Sequence, residues 1–347
     1  MAQINKPNTY FNTKLYTGTG ATQSITGVGF SPDFVWIKVR SNATHGHNLF
    51  DIIRGVNKNL QTNSTSTEGD DTSGSLTAFN SDGFTLGGFY NKVNESGQTF
   101  VSWNWDANGA GVSNTDGSIT STVSANTTSG FSIVSYTGTG ANATVGHGLG
   151  VAPAMVIIKA RSTTGSWVVN HKGLANQTVA HLTLETTNAS ADNATLFNST
   201  APTSSVFSIG ANTATNTSSA TYIAYCFAEK KGFSKFGSYV GNNSDDGTFI
   251  YTGFKPAFVM TKSTTGEAWN IIDNKRVNQF NPTGYFLYAN TSGVESATLT
   301  YSEMDFLSNG FKLRKSHGQY NGTATHIYMA FAENPLVGTN NIPATAR

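Results

Sequence analysis

Histidine and acidic side chains stand close together at a few points of this chain, where they could bind a metal ion. His45 and His47 are separated by one glycine, and two imidazoles form only part of a zinc site without a third ligand. Residues 242–247 read Asn-Asn-Ser-Asp-Asp-Gly, and residues 68–71 hold three carboxylates, an oxygen density that calcium favours. Neither run has EF-hand spacing. We predict no metal site and no cofactor, with a cation in the 242–247 loop as the open alternative.

The groups that catalysis needs do not form a recognisable pattern. Cys226 is the only cysteine and lies in an apolar run, which favours an unreactive buried thiol. Glycoside hydrolysis requires two carboxyl groups about 5 to 9.5 Å apart, and no pair can be assigned from sequence among Asp51, Asp273 and Asp305. We predict that the chain is not an enzyme and assign no catalytic residue.

Tryptophans are the candidates for contacting a ligand. Most of the five alternate with polar residues in strand-like runs, a pattern that predicts a place in the core. Trp167 and Trp269 differ, because each comes just after a Thr-Thr-Gly turn, separated from it by Ser166 in the first case and by Glu267 and Ala268 in the second. We therefore predict these two rings as ligand-binding aromatics on which a sugar could stack.

A longer pattern of residues occurs three times along the chain. Its clearest part is a strand-like run between a proline and a lysine six positions later, at residues 32–38, 153–159 and 256–262. Aromatic landmarks keep the same order around it, with Tyr16, Tyr136 and Tyr239 upstream and a closing aromatic strand downstream. This order indicates an internal triplication. Because Lys38, Lys159 and Lys262 recur, we interpret them as stems that cover a sheet edge while the ammonium group reaches water.

The fold class follows from short runs of β-branched and aromatic residues between turn pairs such as Asp-Gly and Asn-Gly. We predict an all-β protein of three tandem, related antiparallel β-sandwich or jelly-roll-like modules: module 1 (residues 1–112), module 2 (113–231) and module 3 (232–335). Runs that are apolar on both faces are predicted to be central strands. The predicted core residues are Val35, Ile37, Val156, Ile158, Val259, Phe84, Phe207 and Phe311.

Residues 336–347 are predicted to be an extended tail, since they hold too little apolar content to fold alone. We expect this assembly tail, with Pro335, Ile342, Pro343 and Arg347, to lie against a neighbouring subunit or another protein of the same particle. Deleting residues 336–347 is expected to leave the modules folded but to reduce oligomerisation or incorporation. Truncated protein that assembles as well as the full chain would contradict this.

Composition excludes several classes of partner. Charged residues are 12% of the chain and its net charge is +1, which is too little positive charge to bind a phosphate backbone, so no nucleic acid is expected. No apolar run approaches the 18 residues of a membrane span, and the first residues lack the apolar segment of a signal peptide. We expect a protein made in the cytosol, without membrane insertion and with a neutral Asn- and Thr-rich surface.

Several phrases of the chain resemble a family of repeat proteins encoded by tailed, especially marine, bacteriophages. They include Gly29-Phe-Ser-Pro-Asp-Phe-Val-Trp-Ile-Lys38, Gly130-Phe-Ser-Ile-Val-Ser-Tyr-Thr-Gly138 and His147-Gly-Leu-Gly-Val-Ala-Pro153, and the ending Ile342-Pro-Ala-Thr-Ala-Arg347. The resemblance covers almost the whole chain. It implies a component of the virion, assembled in the host bacterial cytoplasm, and transfers no catalytic residue.

Repeats and resemblance together predict a non-enzymatic virion structural protein. The first expectation is a fibre, spike or tail component, homo-oligomeric, bound to other virion proteins and carrying an adhesive face for host-surface glycan. The alternative is a capsid decoration protein that binds the outside of the head and stabilises it. A polysaccharide depolymerase is a second alternative, against which stands the absence of the short repeats of a β-helix in the sequence.

Overall fold

The structure is a computed structural model that describes residues 3–72, 74–88, 90–276, 281–296 and 304–337. Strands joined by tight turns dominate these residues, and the prediction of an all-β, antiparallel fold is confirmed. Helical structure in this part of the chain consists of a 3-10 turn at Pro7–Thr9 and the one-turn helices α1 (Asn91–Asn94), α2 (Thr213–Asn216) and α3 (Gly318–Asn321). None of the described helices is long and apolar enough to cross a lipid bilayer.

The strands follow one another in chain order across the three predicted modules. Module 1 contains β1 (Phe11–Thr17), β2 (Gln23–Thr26), β3 (Phe34–Val39), β4 (Asn48–Asp51), β5 (Lys58–Gln61), β6 (Gly69–Asp70), β7 (Leu76–Asn80), β8 (Gly83–Leu86) and β9 (Thr99–Trp105). Next come β10 (Val112–Asn114), β11 (Ser121–Asn126), β12 (Phe131–Thr137), β13 (Ala143–Gly146), β14 (Met155–Ala160), β15 (Val168–His171), β16 (Ala180–Thr183), β17 (Ala191–Asp192), β18 (Val206–Ile209) and β19 (Thr221–Phe227). The last group is β20 (Ser234–Val240), β21 (Phe249–Tyr251), β22 (Phe254–Ser263), β23 (Asn270–Asp273), β24 (Leu287–Tyr288), β25 (Met304–Leu307), β26 (Gly310–Leu313) and β27 (Thr325–Pro335).

Each group of strands forms one large and one small sheet. The large sheets have the orders β1-β9-β3-β4-β5-β6, β10-β11-β12-β19-β14-β15-β16-β17 and β20-β27-β22-β23-β24, and the small sheets are β2-β8-β7, β13-β18 and β21-β26-β25. Val112 pairs with Val123, so strand pairing assigns residue 112 to the second group rather than the first. Pro335 is the buried last residue of β27, opposite Phe254, and therefore belongs to the sheet rather than to a tail. Ile342, Pro343 and Arg347 lie outside the described residues.

The same four-strand order recurs at the centre of the large sheets, as β1-β9-β3-β4, β12-β19-β14-β15 and β20-β27-β22-β23. Val35, Val156 and Val259 stand on the third strand of these sets, opposite Asn104, Cys226 and Ala330 of the second strand. The landmarks that suggested a triplication thus occupy corresponding strands and registers. Superposition of the three units onto one another stays a prediction.

Two separate cores explain why the runs between proline and lysine are apolar on both faces. Successive side chains of a strand point to opposite faces, so one half of each run faces the small sheet and the other half faces away from it. Val35 and Ile37 of β3 lie in a local core beneath the small sheet, whereas Phe34 and Trp36 enter a second core. The eight residues predicted to form the core are all buried in the three local cores.

The second core is shared by all three large sheets. Aromatic contacts between modules close it into a ring: Phe34 lies 4.5 Å from Tyr225, Phe227 lies 6.1 Å from Phe331, and Trp103 lies 5.8 Å from Phe258, measured between ring centroids. The three predicted modules therefore pack against one another around a common core. Each large sheet buries its second face only because its two neighbours cover it.

Contacts between neighbouring modules, here called seams 1–2, 2–3 and 3–1, repeat one backbone hydrogen bond. The donor and acceptor pairs are Glu68 N and Arg161 O, Ser190 N and Thr264 O, and Glu295 N and Arg40 O, each 2.9 Å apart. At seams 1–2 and 3–1 the side chains add ion pairs, Arg161 with Glu68 at 3.0 Å and Arg40 with Glu295 at 2.7 Å. Seam 2–3 has Ser190 and Thr264 at the corresponding positions, so this bidentate type of pair is missing there.

The interpretation of Lys38, Lys159 and Lys262 as edge residues with heads in water is wrong, because all three are buried. Their ammonium groups cross the seams: Nζ of Lys38 donates to Ser292 O at 3.1 Å, Nζ of Lys159 to Thr65 O at 3.3 Å, and Nζ of Lys262 to Thr187 O at 3.1 Å. Each also donates to a carbonyl of its own module. A buried ammonium group needs such acceptors. Burial lowers the pKa of each lysine to about 8.

Candidate functional site

The two tryptophans predicted to bind a ligand are instead part of the seams. Trp167 is 0% exposed and Trp269 is 1% exposed, so neither ring offers a face to a sugar, and that assignment is corrected. The indole of Trp167 donates to Gln61 O across seam 1–2, and the indole of Trp269 donates to Thr183 O across seam 2–3, both at 2.9 Å. The turn before each tryptophan places it against the neighbouring module, which a single module's pattern does not disclose.

The carboxylates considered as catalytic candidates form ion pairs with arginines of the same chain. Asp51 and Asp273 are buried and accept hydrogen bonds from Arg54 at 2.5 Å and Arg276 at 2.6 Å. Such carboxylates are fixed as buried ion pairs. Asp305 is likewise bound by Arg314, at 2.5 Å.

The metal candidates do not converge either. His47 is buried and its Nδ1 accepts a hydrogen bond from the Trp36 indole at 2.8 Å, whereas the nearest acidic oxygen to His45 is that of Glu95 at 3.8 Å. Asp246, in the 242–247 loop, forms an ion pair with Lys312. In the part of the chain that the structure describes, no three His, Cys, Asp or Glu residues are grouped to hold a metal ion.

Two aromatic side chains stand exposed on the edge strand of the third small sheet. Phe249 is 43% exposed and Tyr251 is 58% exposed, while Ile250 between them enters the local core. β21 is the outer strand in the order β21-β26-β25, so among the described residues no further strand pairs with its free edge. Residues two apart on a strand lie roughly 6.6 Å apart, so the two rings form one continuous apolar strip.

This strip is peculiar to module 3. The inward residues of the corresponding edge strands, Ile25, Val145 and Ile250, pair with Phe84, Phe207 and Phe311. The outward positions beside them carry Ser24 and Thr26 in module 1, and Thr144 and Gly146 in module 2. Sequence reasoning missed Phe249 and Tyr251 although aligning the repeats exposes them: aromatic residues replace small or polar ones at both outward positions.

Charged side chains border the strip. Lys312 is the cross-strand neighbour of Phe249, and its Nζ lies 2.5 Å from a carboxylate oxygen of Asp246. The hydrogen bond and the charge of Lys312 lower the pKa of Asp246, so this carboxylate stays ionised. We call the set Phe249, Tyr251, Lys312 and Asp246 the Phe249 platform.

The Phe249 platform joins two kinds of recognition at one surface. Its rings present flat apolar faces, to which the C–H face of a sugar ring can pack, and its ammonium and carboxylate groups can donate to and accept from hydroxyl groups. Gly310 lies opposite Tyr251, and a side chain there would collide with the Ile250 carbonyl 2.1 Å from the added carbon. Gly310 therefore leaves the surface beside the two rings free of a protruding side chain.

A family model described as a domain of unknown function (DUF7483) matches residues 6–335. The chain belongs to this family. The DUF7483 region takes in all six described sheets, the shared core apart from Ile4, and the Phe249 platform, so it corresponds to the closed ring rather than to one of its modules. Neither a curated protein nor a solved structure matches the chain.

Proposed function

We propose that this chain is a non-enzymatic structural protein of a bacteriophage particle, a fibre, spike or tail component that binds glycan on the host surface through the Phe249 platform. The observation that carries the proposal is the exposed pair Phe249 and Tyr251 between charged neighbours. Exposed aromatic residues are costly on a surface that is otherwise Asn- and Thr-rich, and such patches mark binding sites.

Glycan suits the platform better than a protein partner does. Two rings on one edge strand supply a strip about one to two sugar units long, well short of the roughly 800 Å² per partner of a stable protein interface. Single sites of this size bind weakly. A homo-oligomer, joined to other virion proteins, would present several platforms together and gain affinity through multivalency.

The shared core supports an adhesive role by holding the platform rigid. The local core of module 3 packs beneath β21, and the large sheet of the same module is fixed in the ring by its neighbours. Binding groups on a rigid scaffold lose less conformational entropy when a ligand binds. The strand that carries Phe249 and Tyr251 is therefore already in place before a ligand binds.

The test is binding of purified full-length protein to bacterial surface polysaccharides, by glycan array and then by titration calorimetry. We expect the double variant Phe249→Ala/Tyr251→Ala to lose at least tenfold in affinity with its melting temperature unchanged within about 2 °C. The matched control Ser24→Ala/Thr26→Ala changes the corresponding positions of module 1 and should bind normally. Binding that survives loss of both aromatic rings would refute the assignment of the site.

Capsid decoration is the second candidate, favoured by the ring itself. Three corresponding pairs of sheets around one core place the three small sheets on the outside, and a protein that binds where three capsid subunits meet would have three such similarly placed surfaces. Electron microscopy of the particle separates the two candidates. Density for this chain on the head lattice would establish decoration, and density confined to the tail would support the fibre, spike or tail assignment.

A further inference from the structure

A polar cleft opens at seam 3–1, between β1 and the loop that follows β23. It has a volume of about 320 Å³ and is lined by Thr13, Asn274, Lys275 and the N-terminal residues Asn5 and Lys6, among others. A second hollow of about 330 Å³ shares Asn12, Thr13 and Lys275 and extends the cleft along β1. Ligand pockets generally measure about 300–1,000 Å³, so each hollow is at the small end of that range.

The cleft exists because one residue of β1 departs from the repeat. Thr13 pairs with Trp103, and the corresponding residues of the other modules are Ile133, which pairs with Tyr225, and Phe236, which pairs with Met329. Ile133 and Phe236 are members of the shared core, but Thr13 is not. A small polar residue thus stands where the other two modules place a large apolar one.

The loop on the other side of the seam departs from the repeat as well. At seam 1–2 the corresponding loop carries Ile52 and Ile53, which pack against the shared core. At seam 2–3 it carries Gly173, where an added Cβ would lie 2.8 Å from Gly237 O, so the two backbones are in contact. Seam 3–1 has Asn274 and Lys275 instead. Two seams are filled, and the third is open and polar.

Two residues of the cleft lining each bury a polar atom that has no hydrogen-bond partner among the described residues. Thr13 is 6% exposed, and its Oγ1 makes no hydrogen bond to any described residue. Oδ1 of Asn274 is buried and also unbonded within the described residues. Buried polar groups in proteins are nearly always hydrogen-bonded, so this unsatisfied pair shows that seam 3–1 is packed less completely here than the other two seams.

Positive charge dominates the mouth of the cleft. Lys6 and Lys275 are both exposed, and neither forms an ion pair with a described residue. The acidic residue of the lining, Glu333, is neutralised by Lys255 at 3.0 Å. An anionic ligand is therefore favoured over a neutral or cationic one.

We propose that this cleft binds a carboxylated monosaccharide, a uronate, as the free sugar or as one residue of an acidic polysaccharide. The ammonium groups of Lys6 and Lys275 bind its carboxylate, and the exposed amide side chains of Asn5, Asn8 and Asn334 in the lining bond to its hydroxyl groups. The size of the cleft admits about one sugar ring. The site is separate from the Phe249 platform and does not depend on it.

The experiment is titration of the full-length protein with glucuronate and galacturonate, by calorimetry and by saturation-transfer NMR. Glucose tests for the carboxylate, and acetate tests for the sugar. We expect a uronate to bind at least tenfold more tightly than either. Equal binding of acetate and uronate would mean a plain anion site, equal binding of glucose would mean that charge plays no part, and either result overturns the proposal, as does no binding of the uronates.

Two variants connect binding to the cleft. Thr13→Ile installs the residue of module 2, fills the space and should abolish uronate binding, with a melting temperature equal to or above that of the parent. Lys275→Gln should weaken binding at least tenfold and reduce its dependence on salt. Lys172→Gln, in the corresponding loop of module 2, is the control and should bind normally.

If Thr13→Ile fails to fold, Lys275→Gln decides alone, and uronate binding unchanged in that variant overturns the proposal. Phe249→Ala/Tyr251→Ala should retain uronate binding in the cleft. That result keeps failure of the cleft and failure of the platform distinguishable.

Discussion

At the scale of single residues, Lys38 makes the unfolding free energy depend on pH. Its pKa is lowered by burial from 10.5 to about 8. Between these values the unfolded chain binds more protons at this lysine than the folded chain, so its contribution to the free energy of unfolding rises with pH across that window. Below about pH 8 both states are protonated and the cost of burial is present in full.

The expected behaviour of Lys38→Met follows because the contribution of Lys38 to stability rises with pH. Between pH 7.5 and 9.5, in urea unfolding, the variant should gain less stability than the parent, by on the order of 1 kcal/mol. The window stops below pH 10 because burial raises the pKa values of Tyr136 and Tyr225, which reverses the trend at higher pH. Lys231→Met, at an exposed position, is the control. Equal gains in parent and Lys38→Met would contradict the prediction.

His171 makes the free energy of unfolding depend on pH at the acid end of the range. It is buried at seam 2–3, where its Nδ1 accepts from Gly173 N at 2.9 Å and its Nε2 lies 3.1 Å from Tyr328 O, so the neutral ring donates through Nε2. Burial lowers its pKa to about 4. As the pH falls from 6.5 to 4 the unfolded chain takes up a proton that the folded chain does not, and stability is lost over that window.

We predict that His171→Gln is less sensitive to acid than the parent. Between pH 6.5 and 4.5 the parent should lose about 2 kcal/mol more unfolding free energy than the variant. His45→Gln removes a partly exposed ring whose pKa burial also lowers, and it should depart from the parent by less than His171→Gln does. The measurement is urea unfolding monitored by tryptophan fluorescence. Parallel pH curves for parent and His171→Gln would show that this ring does not carry the effect.

At the scale of elements, each small sheet places a phenylalanine at the corresponding position of its local core, together with other apolar side chains. Phe207 on β18 is fully enclosed in the local core of module 2, with its ring 6.1 Å from Tyr136. Phe207→Ala should lower the free energy of unfolding by about 3–5 kcal/mol, because lost transfer energy and a new cavity add. Phe249→Ala, on an exposed face, should change it by less than about 0.5 kcal/mol. A Phe207→Ala variant as stable as the parent would contradict the assignment of β18 to the local core.

The sequence was sufficient for these elements and insufficient for their neighbours. Alternation along a strand fixes which side chains share a face, so the burial of Phe84 and Val156 was predictable. The side chain of Met155 points to the other face of the strand, and the residues that cover it belong to other modules, far away in sequence. Lys159 and Trp167 were misjudged for the same reason, because their partners Thr65 and Gln61 belong to module 1.

The two candidate sites also differ in whether the sequence alone could reveal them. Phe249 and Tyr251 could have been found by comparing outward positions of the three repeats, since both are aromatic where the others are small or polar. The cleft at seam 3–1 could not, because Thr13 and Asn274 are neighbours only once the ring is closed. Closure depends on packing among three sheets, which no local pattern encodes.

At the scale of the whole molecule, the shared core predicts that the modules do not fold separately. In isolation, residues 112–231 would expose the face that carries Ile133, Met155, Ile157, Tyr225 and Phe227. We expect this fragment to bind a hydrophobic dye and to lack near-ultraviolet circular dichroism, whereas the full chain unfolds in one transition. A fragment with dispersed NMR signals and a cooperative melt of its own would contradict the prediction.

The seams also determine how the ring bears mechanical load. A protein that tethers a particle to a cell surface is pulled by flow, and the weakest seam sets the force at which it yields. Seams 1–2 and 3–1 are fastened by Arg161 with Glu68 and by Arg40 with Glu295, whereas the charges near seam 2–3, on Glu229 and Lys235, are partly exposed and screened by salt. In the proposed adhesive role, we therefore expect tension to part seam 2–3 first, while the ion pairs of the other two seams hold module 1 to both of its neighbours.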